Sequence, residues 1–218
     1  MVTAHFPVLN ARLEGNAMAP AALALYVLFA LLSFGWRAWL QFRRTGDHGF
    51  RAFSSPLLST AGVGGFLLSA GGIAALLAPL AEIFGGGRIA VAPFSASTRA
   101  AGLALMPFGI VLTLLAQIEM GASWRVGVDP NEKTELVTTG LFGWVRNPIY
   151  TAMLTTLLGL VLAVPNVLAA LAFLVAFVGL ELHVRKVEEP YLLRFHPEGF
   201  REYARRVGRF VPRVGRIA

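Results

Sequence analysis

The sequence of 218 residues contains no cysteine, and that absence excludes several kinds of chemistry. Without a thiol, the chain cannot form a disulfide, use a thiolate nucleophile or hold a metal through cysteine ligands. Its four histidines also lack the close spacing that is typical of metal ligands. We therefore expect no metal site.

Charged residues are scarce as well. They make up 14% of the chain, against roughly 25% in soluble domains. Hydrophobic residues make up 56%, so the composition predicts an integral membrane protein. The net charge of +7 does not indicate a nucleic-acid partner, because the basic residues lie at the ends of apolar runs. The N-terminus lacks the pattern of a signal peptide, so we expect the first apolar run to remain as a span.

Three uncharged runs in the N-terminal half predict membrane spans. They cover 20–36, 52–81 and 100–118. The first run ends at Arg37, whose long side chain we expect to extend to the membrane interface. Residues 1–19 are short and mixed in composition, and we expect a loose or interfacial arm there.

Small residues at helical spacing mark one face of the second span. Ala61, Gly65 and Ser69 form this stripe, and small residues let two membrane helices approach closely. We therefore expect another helix to pack against it. The neighbouring GVGG sequence could also suggest a phosphate-binding loop. That alternative is disfavoured, because no strand precedes the glycines and no Lys-Ser/Thr pair follows them.

The fourth uncharged run covers 147–180 and is too long for one span. As a single helix, its 34 residues would reach about 51 Å, against a hydrocarbon core of about 30 Å. A turn signal, Pro165-Asn166, lies near its middle. We therefore predict a helical hairpin with arms 148–164 and 167–182, which gives an all-α fold with five spans.

The distribution of basic residues predicts the orientation in the membrane. In a five-span chain, the loops 43–56 and 121–146 and the tail from residue 183 lie on one side. These segments carry 15 basic residues, against three on the other side. Because Lys and Arg are enriched in cytoplasmic loops, we expect a multi-pass protein of the cell membrane with its N-terminus outside. The loops and the tail would then be cytoplasmic.

Two polar clusters flank the hairpin. The first, TELVTTGLFGWVRNPIY, runs from Thr134 to Tyr150 and combines glycine turns, aromatic rings and Arg146. The second covers 181–193 and contains two adjacent glutamates and His183, which can be a simple interfacial residue. We expect both clusters to meet at the membrane surface and form one site.

The charges of the second cluster are spaced for a helix. If the second arm of the hairpin continues as a helix, Arg185 faces Glu188 and Glu189 at i+3 and i+4. Pro190 would then bend or stop the helix just beyond them. This arrangement would place a cation and a carboxylate together near Tyr150.

The tail contains a candidate amphipathic helix over 198–210. Phe200, Tyr203 and Val207 share one side of it, and arginines are spread around the rest. We expect an interfacial helix that is held to anionic lipid headgroups, so membrane lipids are expected partners.

The first cluster, the hairpin and the later segment VRKVEEPYLLRFHPEGFREYARRVGRFVP together resemble the isoprenylcysteine carboxyl methyltransferase family, in its broad bacterial branch. The resemblance covers about 121–213. It implies a membrane enzyme that transfers a methyl group from S-adenosyl-L-methionine to a lipophilic acceptor, which enters from the bilayer. It divides the chain into three N-terminal spans over 1–120 and a methyltransferase catalytic region over 121–218.

The resemblance also implies site residues by position. Three residues depart from the family pattern: Asn147 stands where a histidine is usual, and Phe142 and Phe200 stand where tyrosine is frequent. Because an asparagine cannot titrate, a mechanism that needs this histidine as a base would not be shared. The implied catalytic residues are Arg146, Arg185 and Glu188. The implied cofactor-binding residues are Thr134, Glu135, Leu136, Val137, Phe142, Asn147, Pro148, Ile149, Tyr150, Glu188 and Glu189.

Methyl transfer from a sulfonium is an in-line displacement, which requires alignment and the exclusion of water rather than a covalent intermediate. Phe142, Trp144 and Tyr150 can stack on the adenine or face the sulfonium, although the last two also suit an interfacial aromatic belt. We assign Glu188 to the cofactor's ammonium. Arg185 is assigned to the acceptor's polar head or to the cofactor's carboxylate.

Two other functions remain as alternatives. An NADPH-dependent sterol-type membrane reductase has a related C-terminal hairpin pattern, but its Arg-Asp and Arg-Cys-like block is missing here. A non-enzymatic transporter or scaffold would suit the composition. A transporter should, however, carry ionisable residues within its spans, and the runs 52–81, 100–118 and 147–180 contain none. The acceptor stays open between a prenylated peptide carboxylate, a phospholipid amine, an isoprenoid and a fatty acid.

Overall fold

The computed structural model describes residues 6–49, 59–85, 91, 94–128 and 133–217. Within these ranges the chain is helical and has no named strand, which confirms the all-α prediction. The start of the expected second span and most of the loop at 86–93 lie outside the described residues. The helices are α1 (Phe6–Ala30), α2 (Arg37–Thr45), α3 (Thr60–Gly85), α4 (Ala96–Met120), α5 (Pro148–Ala163), α6 (Val167–His183), α7 (Glu189–Phe195) and α8 (Pro197–Arg206).

Five of the described segments are apolar helices suited to a membrane. Four are long enough to cross it by length and composition: Met18–Thr45, Thr60–Gly85, Ala96–Ser123 and Val167–Phe195. The fifth, α5, has 16 residues and is about 24 Å long, somewhat less than the hydrocarbon core of about 30 Å. The predicted multi-span architecture is therefore confirmed.

The N-terminal part differs from the expectation of a loose arm. Helix α1 already begins at Phe6 and continues through a π-helical segment, Leu31–Trp36, into α2. One nearly continuous helix therefore runs from Phe6 to Thr45. The composition of residues 1–19 concealed this, because a helix needs no apolar stripe where neighbouring turns extend it.

The predicted hairpin is present almost to the residue. Helix α5 ends at Ala163 and α6 begins at Val167. Between them, the Asn166 side chain accepts a hydrogen bond from the Ala169 N–H and caps α6. Its Nδ2 donates to the Ala78 carbonyl of α3 at 2.8 Å, which ties the turn to a neighbouring helix.

Each arm of the hairpin packs along a different neighbour. Helix α5 runs against α4, where a Cβ on Gly102 would lie 2.7 Å from the Gly159 carbonyl oxygen. Helix α6 runs against α3, where a Cβ on Gly71 would lie 3.2 Å from the Cβ of Ala176. The close packing on α3 was predicted at another stripe. The buried small residues that face neighbouring helices are Gly62, Gly64, Gly71, Ala75 and Ala78 rather than Ala61, Gly65 and Ser69.

Arg37 does not extend to the interface as expected. Its side chain is buried against the end of α4 and donates to the Gly121 carbonyl at 2.6 Å. The guanidinium carbon lies 4.6 Å from the ring centroid of Trp124, and Gln41 beside it donates to the Ala122 carbonyl. This polar junction fixes the loop that follows α4.

The loops that were predicted to share one side do lie at one end of the bundle. The Val126 N–H donates to the Gly49 carbonyl, and the Arg146 N–H donates to the Gly208 carbonyl at 2.7 Å. At the opposite end, the Val91 N–H donates to the Pro165 carbonyl in the hairpin turn. One end of the protein therefore gathers all the segments from which the site is built.

Candidate active site

A cavity of about 450 Å³ lies at that end and reaches into the bundle. Ligand pockets for small molecules are typically about 300–1,000 Å³. Segments from both halves of the chain form its wall: α1, α3, the end of α4, the loops before α5, and α5 to α8. The first two spans, which the resemblance covers only in general character, therefore contribute directly to the cavity.

The sequence-predicted residues line this wall with two exceptions. Arg146 and Glu188 line the cavity, but Arg185 does not. Trp144, considered for stacking on adenine, is 70% exposed at the surface. The cofactor-binding candidates that line the cavity are Thr134, Glu135, Leu136, Val137, Phe142, Asn147, Pro148, Ile149, Tyr150, Glu188 and Glu189.

Glu188 is held at the polar end of the cavity by two side chains. The Tyr150 hydroxyl donates to its Oε1, and Nε2 of the buried His183 lies 3.3 Å from the same oxygen. Among the described residues, no hydrogen bond or ion pair reaches Oε2, and the side chain is 20% exposed. The carboxylate is therefore held through Oε1. The expectation that His183 is a simple interfacial residue is wrong.

Glu189 has a different environment, although it is the next residue. Arg209 donates to it through Nε at 2.8 Å and NH2 at 3.0 Å, and Arg146 donates at 2.8 Å. These side chains are at most 10% exposed. The hydrogen bond to Glu189 raises the pKa of Arg209 above its usual value, so the pair remains ionised.

Arg146 connects the first cluster to the C-terminal tail through several hydrogen bonds. Besides Glu189, it donates to the carbonyl oxygens of Ala204, Val207 and Gly215, at 3.2, 2.5 and 3.0 Å. Its NH1 and NH2 groups are thus engaged within the protein. This residue was a catalytic candidate, and its contacts indicate that it positions the cavity wall.

The expected contact of Arg185 with the two glutamates is wrong. A π-helical segment, Val184–Glu188, follows α6 and changes the helical register. Arg185 instead pairs with Glu181, one turn earlier, and its side chain is 55% exposed. Nor does Pro190 stop the helix: it lies in the first turn of α7, where proline is tolerated.

Helix α4 and the C-terminal tail both hold the first cluster in place through hydrogen bonds. The Glu119 carboxylate accepts a hydrogen bond from the Leu141 N–H, and Gly140 beside it has φ +59°, which glycine adopts freely. The Tyr203 hydroxyl donates to the Phe142 carbonyl at 2.6 Å. Burial raises the pKa of Tyr203, so this hydroxyl stays protonated and remains a donor.

Asn147, which stands where the family usually has a histidine, is held by the tail. Its Nδ2 and its backbone N–H both donate to the Arg209 carbonyl, each at 3.1 Å. Pro148 follows as the first residue of α5, as its position in the sequence predicted. Asn147 therefore lines the cavity as a fixed amide.

The predicted tail helix is present as α8, but its apolar side packs against protein, where contact with lipid was expected. Phe200 and Tyr203 of α8 are 1% and 4% exposed and pack with Leu136 and Leu192. The apolar face of α8 thus covers the cavity region rather than lipid. Its arginines at 201, 205 and 206 are exposed, whereas Arg209 is buried against Glu189.

The inner part of the cavity is apolar and was not predicted. Tyr26, Phe29, Leu68, Met153 and Leu157 line it. The sequence identified these residues only as members of spans, because helical periodicity does not show which face of a membrane helix borders a cavity. Arg125 and Gln117, near the polar end, were missed for the same reason.

The chain is similar to known proteins over about half of its length. Residues 97–198, just under half of the chain, match the family model described as phospholipid methyltransferase. Protein-S-isoprenylcysteine O-methyltransferase B of Arabidopsis thaliana is 31% identical over 115 residues, which are 52% of this chain and 58% of that protein. The nickel-cobalt-cadmium resistance protein NccN of Alcaligenes xylosoxydans xylosoxydans is 31% identical over 112 residues, 51% of each protein.

The chain thus spans little more than half the length of the curated relatives it matches. A solved structure of the eukaryotic intramembrane Ras methyltransferase ICMT aligns with a TM-score of 0.48 at 15% identity, over 96% of this chain and 98% of that chain. The region matched by the family model contains all eleven cofactor-binding candidates. These matches support the predicted family: the chain is similar to an isoprenylcysteine O-methyltransferase and to the phospholipid methyltransferase family model over about half of its length.

Proposed function

We propose that the protein transfers a methyl group from S-adenosyl-L-methionine to a lipophilic acceptor at the cytoplasmic face of the membrane. The main support for this proposal is the cavity, which has a polar end and an apolar interior that are continuous with each other. The polar end suits a charged cofactor, and the apolar interior suits a hydrocarbon chain. The names of the matched relatives support methyl transfer as the reaction.

The residues at the polar end fit this cofactor by chemistry. Its ammonium requires a carboxylate, and Glu188 lines the cavity and contacts Tyr150 and His183 through Oε1 alone. Its adenine requires apolar or aromatic contacts, which Phe142 and Ile149 supply in the cavity wall. Its carboxylate requires a cation or N–H donors, and Arg125 lines the same end.

When bound, the cofactor would supply an electrophilic methyl group on a sulfonium. The role of the protein is then to bind and align the reacting groups and to exclude water from them. Tyr150 and His183 fix Glu188, while Arg146, Glu189 and Arg209 fix the loop that carries Asn147. None of these tasks requires a titrating residue at position 147.

The acceptor remains a class rather than a compound. An isoprenylcysteine carboxylate, as in the name of the Arabidopsis relative, and a phospholipid, as in the name of the family model, both have the required polar head and apolar chain. The distribution of basic residues supports a cytoplasmic site, because the segments at the polar end carry 15 of them.

The test is a titration of purified protein with S-adenosyl-L-methionine and, separately, with NADPH. A transfer assay with labelled methyl donor and total lipid extract follows. We expect cofactor binding at micromolar level and label in the lipid fraction. Binding of NADPH alone would favour the reductase, and binding of neither would favour a transporter or scaffold.

A further inference from the structure

The inner end of the cavity is closed by one residue from each of four helices. These are Tyr26 of α1, Gly72 of α3, Leu157 of α5 and Ala176 of α6. Each is the lining residue of its helix that lies farthest from the polar end. The next layer along these helices is fully buried in the core and does not border the cavity: Ala22, Ala75, Leu160 and Ala172.

Tyr26 is the bulkiest group of this floor, and its ring is fixed at both ends. The hydroxyl donates to the Gly72 carbonyl at 2.8 Å, which satisfies a polar group in apolar surroundings. The ring centroid lies 5.9 Å from that of Phe29, and the side chain is 8% exposed. Tyr26 is therefore a firm wall across the end of the cavity.

Gly72 keeps the opposite side of the floor open. A Cβ at this position would lie 3.5 Å from the Tyr26 hydroxyl, an ordinary contact distance. A methyl group would therefore fit, whereas a longer side chain would have to extend into the cavity or displace the tyrosine. The two residues limit the same space from opposite helices.

The depth of the apolar part follows from the helices that line it. From Gly65 to Gly72, and from Tyr150 to Leu157, the wall extends over seven helical rises of about 1.5 Å, or about 10 Å. An extended chain advances about 1.2 Å per bond, so this depth holds about eight or nine chain bonds. It also falls short of the bilayer midplane, which lies about 15 Å from the edge of the hydrocarbon core.

We propose that Tyr26 determines the length of the acceptor's hydrocarbon chain that the cavity accepts, with Gly72 setting the opposite limit. The proposal rests on the proposed function, because it concerns the acceptor of that reaction. Chain bonds beyond about eight or nine meet the phenol ring and gain no further buried contact. Tyr26 thus acts as a specificity-determining residue, remote from the polar groups that hold the cofactor.

The test is a series of acceptors that share one head group and differ only in tail length. For the wild type, kcat/KM should rise by about fourfold per methylene and then level off near eight or nine bonds. In Tyr26→Ala the rise should continue to longer tails. In Gly72→Leu the plateau should be reached with shorter tails, so the two variants shift the profile in opposite directions.

Tyr26→Phe is the matched control, because it loses the hydrogen bond to Gly72 but keeps the ring. Its length profile should follow that of the wild type. If Tyr26→Ala does not fold, Gly72→Leu tests the same floor alone. Coincident profiles for the wild type and Gly72→Leu, with normal transfer to the shortest acceptor, would overturn the length limit only. Absence of transfer at every tail length, together with absence of cofactor binding, would overturn both proposals.

Discussion

Two adjacent glutamates, Glu188 and Glu189, allow a sharp test of how the site is built. The same isosteric change, Glu to Gln, removes one negative charge at either position. Both residues line the cavity, but Glu188 contacts Tyr150 and His183 through one carboxylate oxygen, whereas both oxygens of Glu189 are bound by arginines. We expect Glu188→Gln to affect cofactor binding and Glu189→Gln to affect folding stability.

The magnitude at Glu188 follows from the loss of one charge-assisted contact. A glutamine retains an oxygen that accepts from the Tyr150 hydroxyl and faces His183, so the local geometry should persist. A hydrogen bond to a charged group contributes about 1.5–3 kcal/mol, which is about ten- to a hundredfold in affinity. The unfolding temperature should change little.

The magnitude at Glu189 follows from two buried guanidinium groups that would lose their shared carboxylate. Arg146 and Arg209 have side chains that are 2% and 10% exposed. Removing one partner of a buried ion pair typically lowers the free energy of unfolding by about 3–5 kcal/mol. Carbonyl oxygens continue to hold Arg146, so we expect a value at the lower end of this range.

The measurements are cofactor calorimetry and thermal unfolding of both variants in the same detergent, with the wild type as reference. A normal affinity for Glu188→Gln would remove Glu188 from the cofactor site and leave the 134–150 segment to form it. An unchanged unfolding temperature for Glu189→Gln would show that the buried network adds little to stability. Exchanged phenotypes would refute the assignment of the two roles.

Three further predictions concern topology, a surface charge and helix packing. A single cysteine at Ser123 should react with a membrane-impermeant reagent only after the cells are opened, and labelling of intact cells would reverse the proposed orientation. Arg185→Ala should leave kcat and KM within about twofold, because this exposed side chain pairs only with Glu181 among the described residues. Gly102→Val should lower the unfolding free energy by about 1–3 kcal/mol or more, since its Cβ would lie 2.7 Å from the Gly159 carbonyl oxygen.

The hairpin and the meeting of the two polar clusters were predictable because their signals are local. The uncharged run 147–180 exceeds one span, and the pair Pro165-Asn166 supplies the turn. The clusters flank the two ends of that hairpin, so antiparallel arms must bring them to the same end. No detail of side-chain packing enters this reasoning.

The tail and the cavity floor could not be predicted in this way. Phe200 and Tyr203 give α8 an apolar face, but amphipathicity is equally compatible with a lipid surface and a protein surface. The choice between lipid and protein depends on residues that are distant in sequence. One of them is Phe142, whose carbonyl accepts a hydrogen bond from the Tyr203 hydroxyl. Likewise, Tyr26 and Gly72 are 46 residues apart and meet only through the packing of α1 on α3.

Both of the misplaced arginines lie at π-helical segments. Arg37 directly follows the π-helical segment Leu31–Trp36, and Arg185 lies within the second such segment, Val184–Glu188. A π-turn adds one residue to a helix and so rotates the residues beyond it by about 100° relative to α-helical spacing. The prediction for Arg185 assumed the spacing of an unbroken α-helix, so it placed this side chain against the wrong carboxylates. The prediction for Arg37 rested only on its position at the end of an apolar run, which does not show the direction of a side chain.

The rotations also produce the polar environment of the site. Arg37 is directed inward, where it holds the loop after α4 whose Trp124 borders the cavity. Glu188 and Glu189 are directed to different partners, one to the cavity and one to the tail. π-Turns are often found at functional sites, and both of these lie at the polar end of the bundle. The departures from regular helix therefore mark the site more directly than any single charged residue of the sequence does.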